Sequence, residues 1–180
     1  MKKNGPFTII SSEIKYKNPW IEVREDKVLR PEGKEGIFGT IDYGRGVSVV
    51  ALDSKRNIYL EREYYYVLER YGTQTPSGGI DGEESPLDAA KHELLEETGA
   101  TSERWIELGV IDALTMILKH PSHLFLALNV TIVQEPESGI ERIVIPFDEA
   151  YKMVLDGEIT HAPSCVAIMK AKAYLDSHGV

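Results

Sequence analysis

The chain has 180 residues, 42% of them hydrophobic and 27% charged, which is enough apolar material to fill a core and too much for intrinsic disorder. It carries 20 Lys and Arg against 29 Asp and Glu, a formal net charge of −9. That balance argues against a nucleic-acid binder working through a basic face, because polyanion affinity comes mainly from cations that neutralise phosphates. An anionic ligand stays open if metal ions supply the positive charge.

The single cysteine, Cys165, excludes an internal disulfide framework and a thiolate zinc cluster. Its run Cys165-Val166-Ala167-Ile168-Met169 reads as core rather than as a nucleophile's setting. No apolar stretch follows Lys2-Lys3, so no secretory signal is expected. None approaches the ~18 apolar residues that span a bilayer. The expectation is a cytoplasmic chain with no membrane and no DNA partner.

Residues 7 to 63 read as strands. Phe7 to Tyr16 and Trp20 to Leu29 are β-rich, with Lys17-Asn18-Pro19 as turn chemistry between them. Arg30-Pro31-Glu32-Gly33 makes the next turn, and Gly36 to Asp42 a third strand. Gly46 to Leu52 is a continuous apolar run, as expected of a strand buried on both faces, and Asp53 to Asn57 turns it into Ile58 to Arg62. Later strands are predicted at 106–111, 124–133 and 143–145. Helices are predicted at 148–155, closed by Asp156-Gly157, and at 164–175 after Pro163. An N-terminal β lobe over 1–45 and a mixed α/β domain over 46–180 are the expected organisation.

Ser85 to Thr98 is the best-punctuated helix. Ser85 caps it, Pro86 suits its first position, Asp88 completes a Ser-x-x-Asp box and Gly99 stops it. Leu87, Ala90 and Leu94 form an apolar stripe, and Glu93, Glu96 and Glu97 form an acidic one beside it. Three carboxylates on one face repel each other, and no basic residue follows along that face to offset them. The simplest reading is a solvated acidic face. Yet the preceding Pro76-Ser77-Gly78-Gly79-Ile80-Asp81-Gly82 reads as a tight glycine loop able to bring backbone close to a ligand. A loop feeding a carboxylate stripe makes an oxygen-only cage for hard divalent cations, which would neutralise a diphosphate and activate water.

From Gly78 through Glu84 to His92-Glu93-Leu94-Leu95-Glu96-Glu97-Thr98-Gly99-Ala100, the spacing resembles the Nudix box. Looser matches at Asn18-Pro19-Trp20-Ile21, Asp26, Arg30 to Gly33, 47–53 and Asp156 to Ile159 resemble the branch that hydrolyses ADP-ribose and other nucleoside diphosphate sugars. The resemblance implies an α/β/α sandwich with a mixed sheet, plus an N-terminal antiparallel sheet that builds a homodimer and touches the substrate. It implies Mg²⁺, with Mn²⁺ as the alternative, in two or three ions. Glu93, Glu97 and the backbone carbonyl of Ser77 would be metal ligands, and Glu96 a ligand or a support for bridging water. Glu84 would brace loop and helix. The general base is expected in the acidic loop Gln134 to Glu141, at Glu137 or Glu135.

Three positions depart from the family pattern. His92 stands where it has arginine, Gln74 where it has an acid, and Glu63-Tyr64-Tyr65-Tyr66 where a Gln-Tyr-Arg-like run is usual. The tyrosines read as core or interface, and as base-stacking groups otherwise. His120-Pro121-Ser122-His123 lacks a third ligand and reads as a loop with two ordinary histidines, the alternative being that it borders the pocket. The leading expectation is hydrolysis of a nucleoside diphosphate sugar to nucleoside monophosphate and sugar phosphate. The alternatives are a catalytically weak binding module of the same fold and a hydrolase of nucleoside triphosphates or capped RNA.

Overall fold

The computed structural model describes residues 1–179. The chain forms two compact units, Met1–Gly44 with Asp112–Pro121, and Arg45–Ile111 with the described residues from Ser122 onward. In the first unit β1 (Lys2–Asn4), β2 (Phe7–Lys17), β3 (Glu22–Leu29) and β4 (Glu35–Asp42) make an antiparallel meander. Asn18 builds the β2–β3 turn: its Oδ1 accepts the N–H groups of Trp20 and Ile21 at 2.9 and 2.7 Å. Glu22 rather than Trp20 opens β3, because this turn takes up the preceding residues.

In the second unit the strands are β5 (Arg45–Leu52), β6 (Asn57–Tyr65), β7 (Arg70–Gln74) and β8 (Ser77–Ile80), followed by helix α1 (Pro86–Thr98). Next come β9 (Ala100–Thr101), β10 (Arg104–Asp112), β11 (Leu118–Lys119, a strand of the first unit that pairs parallel to β4), β12 (Pro121–Leu128), β13 (Thr131–Ile132) and β14 (Glu141–Pro146). Helices α2 (Phe147–Leu155) and α3 (Ala162–His178) close the chain. The main sheet runs β10-β12-β5-β6-β14, with β7 added to β6 and β8 to β5. It is mixed: β12 lies parallel to β5, while β6 and β8 are antiparallel to it.

Alternation along β5 divides the core. Val50 and Leu52 face α2 and α3, where Phe147, Ala167, Ile168 and Leu175 pack. Val47, Val49 and Ala51 face α1, where Ala89, Ala90 and Leu94 pack. The result is the expected α/β/α sandwich.

Two predicted segments differ. The glycine-rich stretch after Pro76 is a strand, β8, with Ser77 opposite Ser48 and Gly78 opposite Val47; its glycines lie flat on β5 instead of turning. The strand expected over 124–133 breaks at Asn129, which sits at φ 56, a left-handed conformation that asparagine tolerates. β13 then pairs with β9. Strand β7 was not predicted, because its sequence Arg70-Tyr71-Gly72-Thr73-Gln74 carries little apolar alternation.

Candidate metal and catalytic site

Capping fixes the start of α1. Ser85 Oγ accepts the Asp88 N–H at 3.1 Å, the cap expected from sequence. It donates to the Asp88 carboxylate at 2.7 Å, so that carboxylate meets the Ser85 hydroxyl where a full capping box would use the backbone N–H. The Arg45 guanidinium donates to the carbonyls of Gly82 and Glu84 at 3.0 and 3.3 Å. It ties the loop before the helix to the start of β5. Nothing in the apolar run of β5 announces this role for Arg45.

The helix lays its acidic stripe across β8. A Cβ on Gly78 would lie 2.0 Å from Glu93 Oε1, so the strand admits that carboxylate only because it carries glycine there. Glu97 Oε2 accepts the Ser77 N–H at 2.7 Å. Ser77, Glu93 and Glu97 are thus brought together, with Ser77 touching Glu97 through its amide. Glu96 is exposed one position away, and its backbone carbonyl accepts the Glu137 N–H at 2.8 Å.

A further carboxylate, absent from the sequence reading, lies beneath them. Glu61 on β6 is fully buried, on the same strand face as Tyr59 and toward α1. Its neighbour across the β6–β7 ladder is Gln74. Gln74 Nε2 donates to Glu61 Oε1 at 2.6 Å and to Glu63 Oε1 at 3.0 Å, and its Oε1 accepts the Tyr65 hydroxyl at 2.7 Å. A carboxylate at position 74 has no hydrogens for two neighbouring acids, so the departure at Gln74 is matched to the acids on β6. Tyr65 belongs to this network, while Tyr64 and Tyr66 are exposed. The available signal is an acid following Ile58-Tyr59-Leu60 in the buried half of the strand.

These acids act on one another. Burial, then the charges of Glu96, Glu84, Asp81 and Glu137, pushes Glu93 up to about 7. Burial and the neighbouring Glu61 hold Glu97 well above the usual carboxylate range. Burial likewise raises Glu61, against the hydrogen bond from Gln74. Crowded, half-desolvated carboxylates favour whatever brings positive charge, a proton or a cation.

The donor set fits a hard divalent cation. It is oxygen only, Gly78 leaves space for Glu93, and Glu61 Oε2 is buried with no hydrogen-bond partner among the described residues. Among the described residues no three acidic, histidine or cysteine side chains converge tightly enough to enclose an ion alone. Water and substrate phosphate would complete its coordination, as is usual for Mg²⁺.

The acidic loop is docked on the end of α1. Val133 and Gln134 donate to the Gly99 carbonyl at 2.8 and 3.2 Å. Arg142 donates to the Thr98 carbonyl at 2.7 Å and reaches Glu135 Oε2 at 3.4 Å. Glu135 is therefore paired with Arg142, whereas Glu137 sits at the Glu96 backbone and adds its charge to the field on Glu93.

His92 contacts Glu84 at 2.6 Å through Nδ1, so it holds the bracing acid rather than the stripe itself. His120 makes an edge contact with Tyr43 in the first unit, its ring centroid at 5.1 Å. In the second unit, His123 lines a hollow of about 350 Å³ with Trp105 and Phe125.

A capped glutamate helix laid across a glycine strand gathers oxygen donors of the kind that hold divalent cations against phosphates. Residues 42–164 match the NUDIX domain model, and residues 7–41 match the nucleoside diphosphate sugar hydrolase N-terminal domain. The chain belongs to the Nudix family and is a pyrophosphohydrolase. It is 28% identical to an ADP-ribose pyrophosphatase of Mycobacterium tuberculosis (strain ATCC 25618 / H37Rv), over 93% of this chain and 84% of that one. It is 24% identical to an ADP-ribose pyrophosphatase of Bacillus subtilis (strain 168), over 93% of each. A crystal structure of an ADP compounds hydrolase superposes with a TM-score of 0.86 at 18% identity, covering 99% of both chains, and shares the fold. Nudix hydrolases generally use a divalent metal. No helix among the described residues is long and apolar enough to cross a membrane.

Proposed function

We propose that this protein hydrolyses the diphosphate linkage of a nucleoside diphosphate sugar, with ADP-ribose the first candidate, to a nucleoside monophosphate and a sugar phosphate. The observation that carries the reading is the seating of Glu93 and Glu97 against Gly78 and Ser77. It gathers negative oxygen donors where α1 meets β8. The N-terminal family match and the names of the two relatives support the substrate class.

Glu93, Glu97 and the Ser77 backbone are assigned to Mg²⁺ or Mn²⁺, in two or three ions, with Glu96 as a further ligand or a support for bridging water. A bound cation would neutralise the diphosphate and lower the pKa of water. Glu137 is assigned as general base: its loop is pinned at Glu96, and among the described residues no arginine is paired with it as Arg142 is with Glu135. The attacking water gives a proton to Glu137, its oxygen bonds to phosphorus, and the bridging oxygen leaves with the other phosphate. A homodimer formed through the N-terminal unit belongs to the same reading. Ile14, Tyr16 and Ile37 of that unit are more than half exposed, apolar surface that a second copy would cover. A cytoplasmic location belongs to the same reading.

The test is a panel of ADP-ribose, ADP-glucose, GDP-mannose and UDP-glucose with Mg²⁺. Turnover of at least one to monophosphate products is expected. A folded protein that turns over none contradicts the assignment.

A further inference from the structure

We propose that Glu61 is a further carboxylate of the metal site, set opposite Glu97, and that Gln74 positions it. This inference rests on the metal-dependent reading above.

Glu61 is fully buried, and an ionised carboxylate so placed is costly unless positive charge or several donors meet it. Only one oxygen is served: Gln74 Nε2 holds Oε1 at 2.6 Å, while Oε2 has no hydrogen-bond partner among the described residues. Helix α1 packs against β6, and the charge that bears most on Glu97, in the helix's last turn, is that of Glu61. The other acids bearing on it are Glu63, from its own strand, and Glu93, from α1. An apolar residue would fill this position at lower cost. A strand that keeps an acid here, with a free oxygen beside Glu97, presents a ligand to a cation held between β6 and α1.

Gln74 makes the geometry specific. Its two amide hydrogens go to Glu61 and Glu63, and its carbonyl oxygen is fixed by Tyr65. The amide cannot flip without facing a carboxylate with its oxygen, so Glu61 is held in one rotamer. The family pattern has an acid at position 74; this chain supplies a carboxylate from the paired position on the neighbouring strand.

The test compares full-length wild type with Glu61→Gln and Glu61→Leu, using Mn²⁺ alone as the probe. Binding is read by electron paramagnetic resonance, and thermal melting is followed in chelator and in Mn²⁺. Both variants should melt at or above wild type in chelator, since a buried acid is gone. Their Mn²⁺ Kd should rise by about tenfold or more, the scale on which metal-site partners act, and the Mn²⁺-induced rise in Tm should shrink accordingly. If either folded variant binds as many Mn²⁺ ions as wild type with a Kd within about twofold, Glu61 is no part of the metal site. If wild type binds no Mn²⁺, the metal-dependent reading itself fails, and this inference with it.

Discussion

Glu97, in the last turn of α1, accepts the backbone N–H of Ser77 at 2.7 Å. One bond thereby fixes the acidic helix to the glycine strand β8. The same strand lets Glu93 approach, because Gly78 has no Cβ to block it. Strand and helix set the site jointly, and changes in either should separate function from folding.

Gly78→Ala and Gly99→Ala offer that separation. The methyl at 78 would strike the carboxylate end of Glu93, which can rotate away. The protein should stay folded and lose at least about tenfold in kcat/KM, in line with the loss of one metal-site group. At Gly99, φ is 70 and a Cβ would lie 1.9 Å from the Gln134 carbonyl oxygen. Strain of about 1–3 kcal/mol from the backbone alone should lower Tm by several degrees. Thermal melts beside steady-state kinetics distinguish the two.

Glu137→Gln should lower kcat by about 10²–10⁴-fold, the usual worth of a general base. Glu135→Gln should leave kcat nearly unchanged, since that side chain is exposed and engaged with Arg142. Equal losses from both would return the base assignment to the loop as a whole.

His92→Arg should keep activity or raise it. His92 is largely exposed and touches Glu84, a contact that a guanidinium can also make. A loss of more than about tenfold, the scale of a site-orienting partner, would show that the imidazole has a role of its own. Kinetics at fixed Mg²⁺ suffice.

Metal and protons should compete at the stripe. The raised pKa values of Glu93 and Glu61, both to about 7, mean that the folded chain holds protons the unfolded chain has lost above 4.5. In chelator, stability should therefore fall as pH rises from 4.5 through 7. A cation removes the penalty by replacing the protons. The Mg²⁺-induced rise in Tm should thus be larger at pH 8 than at pH 6, as melting curves at the two values will show.

Much of this was legible from residue order. The cap, the acidic stripe and the glycine stop placed α1 because local capping chemistry determines its ends. Continuous hydrophobicity placed β5 between two helical layers. Glycine chemistry misled at β8: glycines that read as a turn serve instead to remove side chains between a strand and a helix. Glu61, Arg45 and Arg142 escaped notice because their roles depend on pairing across strands and loops. Glu61 meets Gln74 only through the β6–β7 ladder, and Arg142 meets Thr98 only once β14 is laid beside β6.

The most direct measurement incubates wild type and Glu97→Gln with ADP-ribose and Mg²⁺ in ¹⁸O-labelled water and analyses the products by mass spectrometry. Wild type should release AMP and ribose 5-phosphate, with one ¹⁸O per turnover confined to one of the two phosphates. Glu97→Gln, still folded, should be slower by about 100-fold or more. An unimpaired Glu97→Gln enzyme would contradict the account.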